Sequence, residues 1–244
     1  VDECGDCGGD GIAEGEWDCA GNIADCFGEC GGTAEEDECG DCGGDGPSEE
    51  CWDGSLACDL AECPEEPPTP VNLFISEAAE GSSNNKYLEI YNGSDGDVDL
   101  SGYSLSSCSN GCDETDVWDY PDNVTFEAGT VVAAGDVYVV CHGSADEIIL
   151  AECDQTFTYL SNGDDVFALT QLGSGTILDV IGTTGGDPGS GWEVAGVSNA
   201  TKDHTVVRKA DVSSGNAGDW ASSAGTNEDD SEWVVLEQNT WDYI

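Results

Sequence analysis

The carboxylates with ligand-like spacing lie in a motif that occurs twice near the N terminus. DECGDCGGDG occupies residues 2–11 and returns at residues 37–46. Each copy spaces its aspartates four residues apart, which gives six candidate calcium ligands: Asp2, Asp6, Asp10, Asp37, Asp41 and Asp45. Calcium takes hard oxygen ligands, and the glycines allow a short loop to turn around an ion, so the motif predicts calcium binding. The spacing differs from that of an EF-hand, and the alternative is that the carboxylates are solvated and the glycines serve disulfide turns.

The cysteines of this region repeat together with the motif. Of the 14 cysteines in the chain, ten precede residue 64 in two sets of five: Cys4, Cys7, Cys19, Cys26 and Cys30, then Cys39, Cys42, Cys51, Cys58 and Cys63. The two CxxC pairs could hold zinc, but the gap between them is longer than in zinc ribbons, and surplus cysteines are typical of disulfides in an oxidising compartment. We therefore predict seven disulfides. Since five is odd, at least one bridge joins the two copies or leaves the module.

Residues typical of catalysis are scarce in this sequence. The two histidines, His142 and His204, lie in CHGS and KDHT, and neither is a nucleophile motif such as GxSxG. A carboxylate pair for glycoside hydrolysis cannot be singled out among 53 acidic residues. We therefore predict that the protein is not an enzyme and that both histidines are structural or surface residues.

The net charge limits the classes of partner. The chain has 53 acidic and 4 basic residues, and its formal charge is -49. A field of this sign repels nucleic-acid phosphates and anionic membrane surfaces, so we expect neither as a partner. Two further acidic segments, 95–99 with Asp95, Asp97 and Asp99, and 113–123, are weaker candidates for calcium binding. The alternative, above all at these two segments, is that the carboxylates only hydrate the surface of a protein adapted to a salty medium.

Composition divides the chain at a proline-rich segment. Residues 1–63 form an acidic disulfide-rich module, with copies at about residues 2–35 and 37–63, and too few large apolar side chains to fold without cross-links or metal. PEEPPTP at 64–70 is typical of a polyproline II spacer. The cysteine usage and the absence of Met predict a processed product that is secreted or held at the cell surface, with no direct membrane insertion.

Residues 71–244 have the pattern of an all-β domain. β-branched and aromatic segments alternate with turns rich in Gly, Asn, Asp and Ser, as in an antiparallel β-sandwich. In KYLEIYN, Leu88 and Ile90 share one face while Glu89 and Tyr91 share the other. ADEIILAE is the one short helix candidate. The candidate strands are NLFISE, KYLEIYN, VDLSGYSL, TVVAAGDVYVVC, TFTYL, DVFALTQ, TILDVIG, HTVVRK and EWVVLE.

Four further cysteines lie in this second region. Cys108 and Cys112 bracket SNG, which can turn tightly enough for a local bridge. Cys141 ends a β segment, and Cys153 lies twelve residues on. We predict the pairs Cys108–Cys112 and Cys141–Cys153, with a pairing such as Cys108–Cys141 as the alternative.

Four segments of the second region carry a resemblance to a known family: LFISEAAEGSSNNKYLEIYN, VDLSGYSL, GDDVFALT and WVVLEQNTWDYI. In this order they resemble the bacterial lamin tail domain, an immunoglobulin-like β-sandwich. The resemblance covers residues 72–244 and implies a non-catalytic module of the kind appended to secreted nucleases, other hydrolases and cell-surface proteins. The N-terminal motif is similar to the DECGxCGGDG cysteine repeats of extracellular proteins.

Together these features predict a non-enzymatic extracellular structural protein with a calcium-stabilised N-terminal arm. Its expected partners are other copies of itself, joined head to tail in a filament, or other matrix and surface components. One alternative is an accessory or adhesion region of a secreted nuclease or other hydrolase. Another is a module that binds carbohydrate or matrix through exposed aromatic residues such as Trp118, Tyr120, Trp192 and Trp241.

Overall fold

A computed structural model describes residues 12, 14, 23–29, 32–64 and 71–244. The chain divides into two units, Val1–Pro68 and Thr69–Ile244. Within the described residues, no helix combines the length and the apolar composition needed to cross a membrane. Some predicted site residues lie outside the described part: the candidate ligands Asp2, Asp6 and Asp10, and the cysteines Cys4, Cys7, Cys19 and Cys30.

The described part of the smaller unit has little regular secondary structure, as its composition predicts. An antiparallel hairpin pairs β1 (Glu49–Glu50) with β2 (Leu56–Ala57), and a 3-10 helix follows at Leu60–Glu62. Cys51 and Ala57 are buried, whereas the larger apolar side chains around them are exposed. Hydrophobic burial in the described part of this unit is therefore small, and cross-links are expected to supply much of its stability.

The larger unit is a β-sandwich, which confirms the predicted fold class. Its strands are β3 (Leu73–Glu80), β4 (Lys86–Asn92), β5 (Val98–Asp99), β6 (Tyr103–Cys108), β7 (Tyr120–Thr125), β8 (Val131–Val132), β9 (Val137–Cys141), β10 (Gln155–Thr156), β11 (Val166–Gln171), β12 (Ile177–Ile181), β13 (His204–Arg208) and β14 (Trp233–Glu237). Two short helices join them, α1 (Glu147–Glu152) and α2 (Trp220–Ala224).

The strands form two main sheets. One has six strands in the order β10-β9-β4-β3-β13-β14, and the other has four in the order β12-β11-β6-β7. All neighbours are antiparallel except β10 and β9, which run parallel. A separate short pair joins β5 to β8. The order leaves β14 at one end of the six-stranded sheet, where one side of its backbone has no neighbouring strand in the described structure.

The main core lies between the two sheets. Leu88 and Ile90 of β4 point into it, as the alternating pattern predicts. They share one apolar cluster with Leu105 of β6, Leu169 of β11 and the indole of Trp233 on β14. Because the cluster draws on strands from both sheets, burial of these side chains holds the sandwich together.

The outer face of the six-stranded sheet is also covered, which the alternating pattern does not predict. Tyr87 lies on this face and is buried in a second, smaller cluster with Ile149 of α1. Trp241 and Ile244 from the C-terminal segment pack against the same cluster. As a result Glu89, which the alternating pattern places on the outer face, is buried as well.

Candidate functional site

Asp37, a predicted calcium ligand, uses its carboxylate to organise its own loop. Its Oδ1 accepts hydrogen bonds from the backbone N–H groups of Cys39 and Asp41, at 2.9 and 2.8 Å. Its Oδ2 accepts one from the Gly46 N–H at 2.8 Å. The bonds from Asp41 and Gly46 contribute most to holding the pKa of Asp37 below its ordinary value. Both oxygens of this carboxylate therefore already accept hydrogen bonds from backbone N–H groups of the same loop.

Asp25 repeats this arrangement twelve residues earlier, and the sequence analysis missed it. Its Oδ1 accepts hydrogen bonds from the N–H groups of Phe27 and Glu29, at 3.1 and 2.8 Å. Its Oδ2 accepts one from Ala34 at 3.4 Å. In both loops the donors are therefore the second, fourth and ninth residues after the aspartate, so the two loops are copies of one turn.

Glycine makes this turn possible in both copies. Gly28 and Gly40, each three residues after its aspartate, have φ angles of +82° and +83°, a region that favours glycine. Their N–H groups bond the carbonyls of Asp25 and Asp37 at 2.8 and 3.0 Å. The signal that could have revealed Asp25 is the spacing Asp-x-x-Gly-x-Cys-Gly-Gly, which starts at both aspartates.

Three disulfides cross-link the described part of the smaller unit. Cys26 pairs with Cys42, Cys39 with Cys58 and Cys51 with Cys63, with Cα–Cα distances of 5.5, 5.3 and 5.5 Å. These distances are ordinary for disulfides. The first bridge joins the segments 2–35 and 37–63, the kind of link that an odd number of cysteines per copy predicts.

The remaining predicted ligands in the described part are Asp41 and Asp45, and both are exposed. In the residues that the structure describes, no three His, Cys, Asp or Glu side chains converge in the way a metal ion requires. In the weaker candidate segments, Asp99 accepts the Ser101 N–H at 2.8 Å and Asp119 accepts the Asp113 N–H at 3.1 Å. These two carboxylates brace turns, and calcium binding stays a prediction.

Two disulfides lie in the sandwich. Cys108 pairs with Cys112 and Cys141 with Cys153, with Cα–Cα distances of 4.9 and 5.7 Å. These are the two pairs that the local spacing predicts, and the alternative pairing of Cys108 with Cys141 does not occur. Cross-links in both units are typical of proteins that fold in an oxidising compartment.

A buried ion pair joins the two sheets. Arg208 of β13 and Asp179 of β12 form a salt bridge, and both side chains are almost inaccessible to solvent. Asp179 also accepts backbone N–H groups from Ile75 at 2.8 Å and Asn216 at 3.0 Å. Burial raises the pKa of Asp179, while Arg208 and these hydrogen bonds oppose the rise.

The guanidinium of Arg208 is satisfied on every side. It bonds the Ile75 carbonyl at 3.2 Å and the Ser223 hydroxyl at 3.1 Å, and it pairs with the carboxylate of Glu232. Its Cζ lies 4.1 Å from the ring centroid of Trp233, within cation–π range. Sequence reasoning did not single out this network, although an arginine within the apolar segment HTVVRK and an aspartate within TILDVIG are its visible traces.

Two buried glutamates face each other on the outer side of the six-stranded sheet. Glu77 of β3 and Glu89 of β4 are register partners, and each has an Oε2 atom without a hydrogen-bond partner. Tyr87 donates to Glu77, and Ser76 donates to Glu89 at 2.7 Å. Burial raises the pKa of Glu77 to about 7, with Glu89 adding to the rise, and burial also raises the pKa of Glu89.

Both histidines bond nearby backbone atoms. The Nδ1 of His142 accepts the Ser144 N–H at 3.0 Å, and the Nδ1 of His204 lies 2.6 Å from the Lys202 carbonyl. Each contact spans two residues of the chain, as in ordinary loop structure. The absence of catalysis stays a prediction.

The sandwich architecture and the comparison with known families agree. Residues 66–185 match the Lamin Tail Domain. No curated protein and no solved structure matches this chain. The match supports the predicted resemblance, but it ends at residue 185 whereas the predicted resemblance extends to residue 244. Strands β13 and β14 lie beyond residue 185. The six-stranded sheet and the Arg208–Asp179 pair are therefore completed by residues outside the lamin tail domain match, and the resemblance of the N-terminal repeats stays a prediction.

Proposed function

We propose that the protein is a secreted or cell-surface, non-enzymatic structural protein. The observation that carries the proposal is the set of five disulfides, which cross-link both units of a chain with a formal charge of -49. Cross-links stabilise a fold in an oxidising medium where small modules lack a large core.

The few basic side chains support the same proposal. Arg208 lies in the buried network, and Lys86 bonds the Ser161 carbonyl at 2.8 Å and the Asn162 side chain at 2.6 Å. Lys209 donates to the Glu228 carbonyl. These three cations are bonded within the chain and leave most of the 53 acidic residues without a basic partner. A surface with such an excess of carboxylates suits a medium rich in cations.

Calcium is the cation that we propose stabilises the smaller unit. The candidate ligands are the exposed Asp41 and Asp45 together with Asp2, Asp6 and Asp10, whereas Asp37 already braces its loop. Carboxylates crowded onto a unit with little core repel one another, and a bound divalent ion relieves that repulsion.

We expect the melting temperature of the smaller unit in the intact protein to fall when calcium is replaced by excess chelator at constant ionic strength. The physical reason is the loss of a ligand that binds the folded state only. Differential scanning calorimetry measures this change, and magnesium at the same concentration is the control for ionic screening. Superimposable melting curves in calcium and chelator would contradict calcium binding.

We also propose that copies assemble head to tail into a filament. The edge strand β14 carries an apolar outer surface, where Val234, Leu236 and Tyr243 line a groove of about 310 Å³ with Val207. Val234 and Tyr243 are exposed in this structure. An extended segment of a second copy, such as its N-terminal arm, could add to this edge by β-strand addition. Such a contact is heterologous and gives an open polymer when the rotation does not close.

Sedimentation and electron microscopy in calcium-containing, high-salt buffer test the filament. We expect polymers that dissociate in chelator or at low salt, because repulsion between acidic copies then increases. Val234→Asp should abolish them, while Val131→Asp, at an exposed position on β8, serves as the matched control. A single species of 25.3 kDa at all concentrations would refute the filament and favour an accessory or adhesion region of a larger secreted protein.

A further inference from the structure

One end of the sandwich carries a groove that is built from two adjoining cavities. Two cavities of about 260 and 300 Å³ share Ser109, Tyr159 and Asp165 among their lining residues. We call the joined cavities the end groove. Its walls come from the β3–β4 turn, the ends of β6 and β9, the start of β7 and the loop between β10 and β11.

The end groove is poor in charge, although the chain has 53 acidic residues. Among the residues described as lining it, the one carboxylate is Asp165, which is 9% exposed. That carboxylate accepts hydrogen bonds from the backbone N–H groups of Asn110 at 2.9 Å and Asn162 at 3.0 Å. It therefore holds together the two loops that contain these residues. The lining cation Lys86 is paired with Glu80 at 3.4 Å. The groove therefore offers a ligand almost no net charge.

Both disulfides of the sandwich brace the loops that line the end groove. The Cys108–Cys112 bridge closes the loop that holds Ser109 and Asn110. The Cys141–Cys153 bridge fixes the end of β9 next to His142. Loops held in place before binding lose little conformational entropy when a ligand arrives, so the groove is preorganised.

The exposed side chains in the end groove carry aromatic rings, amides and hydroxyls. Tyr159 is 78% exposed and Tyr120 is 50% exposed, and both line the groove. The side-chain amides of Asn84 and Asn110 make no hydrogen bond within the described part of the chain. A ligand that fits must therefore offer flat apolar surface for the rings and hydrogen-bonding groups of both kinds for the amides.

We propose that the end groove binds a neutral oligosaccharide. The C–H face of a sugar ring covers a tyrosine ring, and sugar hydroxyls both donate to and accept from asparagine amides. An anionic ligand would be repelled by the charge of the whole molecule, and a purely apolar one would leave the amides unpaired. The inference does not depend on polymerisation, because all the residues of the groove lie in one copy of the sandwich.

Isothermal titration of the intact protein with neutral hexasaccharides tests the proposal, using cellohexaose, laminarihexaose, mannohexaose and chitohexaose in turn. We expect at least one to bind, and Tyr159→Ala to weaken that binding at least tenfold. Tyr120→Ala should weaken it as well, which gives a second test if one variant fails to fold. Leu172→Ala removes an apolar side chain that is also exposed but lies outside both the end groove and the groove at β14, so it is the control and should bind like the parent protein.

Three results would overturn the proposal. The first is that none of the four sugars binds at millimolar concentration. The second is that Tyr159→Ala and Tyr120→Ala, with unchanged melting temperatures, bind the sugar as well as Leu172→Ala does. The third is that oligogalacturonate, which carries carboxylates, binds more tightly than every neutral sugar, because a charge-poor groove in an acidic protein cannot favour it.

Discussion

Replacing Arg208 by Met is expected to lower the free energy of unfolding of the sandwich by about 3–5 kcal/mol. The variant leaves Asp179 buried without its cation, and a buried uncompensated charge costs far more than the lost contact itself. It also removes the guanidinium that lies 4.1 Å from the Trp233 ring centroid. Urea denaturation followed by tryptophan fluorescence measures the change.

The matched control is Lys209→Met, at the next residue of the chain. Lys209 donates to the Glu228 carbonyl and is only partly buried, so its loss should cost less than about 1 kcal/mol. Adding Asp179→Asn to Arg208→Met should restore part of the lost stability, because it removes the uncompensated buried charge and the amide oxygen can still accept the Asn216 N–H. The recovery is only partial, because the amide NH2 group cannot accept the Ile75 N–H that Oδ2 accepts. Equal destabilisation by the two methionine variants would show that the buried pair has no special role.

The sheet framework could largely be predicted from the sequence, because its strands have a clear apolar period. KYLEIYN corresponds to β4 over Lys86–Asn92 without a change of bounds, and the segment ADEIILAE contains α1. TFTYL was wrong as a full strand, since the two-residue strand β10 overlaps it only at Thr156. The alternation of apolar and polar side chains does not predict the end of this strand, because the end is set by backbone pairing with β9.

β7 was missed for a different reason. Its sequence, YPDNVT, contains proline and three polar residues, so the segment resembles a loop. Its first four residues also fall within the metal candidate segment 113–123. The strand lies at the edge of the four-stranded sheet, where proline is tolerated because one side of the backbone needs no donor. A helix as short as α2, with Asp219 as its N-cap, carries too little periodic signal to be predicted.

The buried charges could not be predicted, because acidic residues are too common in this chain to single out any one of them. Glu77 and Glu89 become partners only through the register of β3 and β4, which shifts at a bulge between Ile75 and Glu77. Their burial further requires α1 and the C-terminal segment to cover that face of the sheet. Both conditions depend on tertiary structure. Asp25, by contrast, has a local signal, because the motif Asp-x-x-Gly-x-Cys-Gly-Gly begins at Asp25 as it does at Asp37.

The glutamate pair makes the stability of the sandwich depend on pH. The pKa of Glu77 is about 7 in the folded protein against an ordinary value of 4.5, so the folded state holds its proton more tightly than the unfolded state. Stability from this group is therefore complete below pH 4.5 and is lost as the pH rises toward 7. A rise of this size corresponds to roughly 3 kcal/mol at 1.4 kcal/mol per pH unit.

Glu77→Gln is expected to remove this loss. The glutamine can still accept the hydrogen bond from Tyr87, but it has no proton to release, and Glu89 no longer faces a second carboxylate. We expect the variant and the parent protein to be similar in stability near pH 4.5, and the variant to be more stable by about 2–3 kcal/mol at pH 8. Urea denaturation at a series of pH values measures both curves.

The control for general repulsion is Glu237→Gln on β14, which removes one exposed carboxylate from the same sheet. Both variants replace one carboxyl group by a neutral amide, so an effect of general charge repulsion would not distinguish the two positions. Glu77→Gln should change the slope between pH 4.5 and 7, because it removes the buried carboxyl group whose pKa folding raises to about 7. If the two curves stayed parallel across this range, the buried pair would not be the source of the pH dependence.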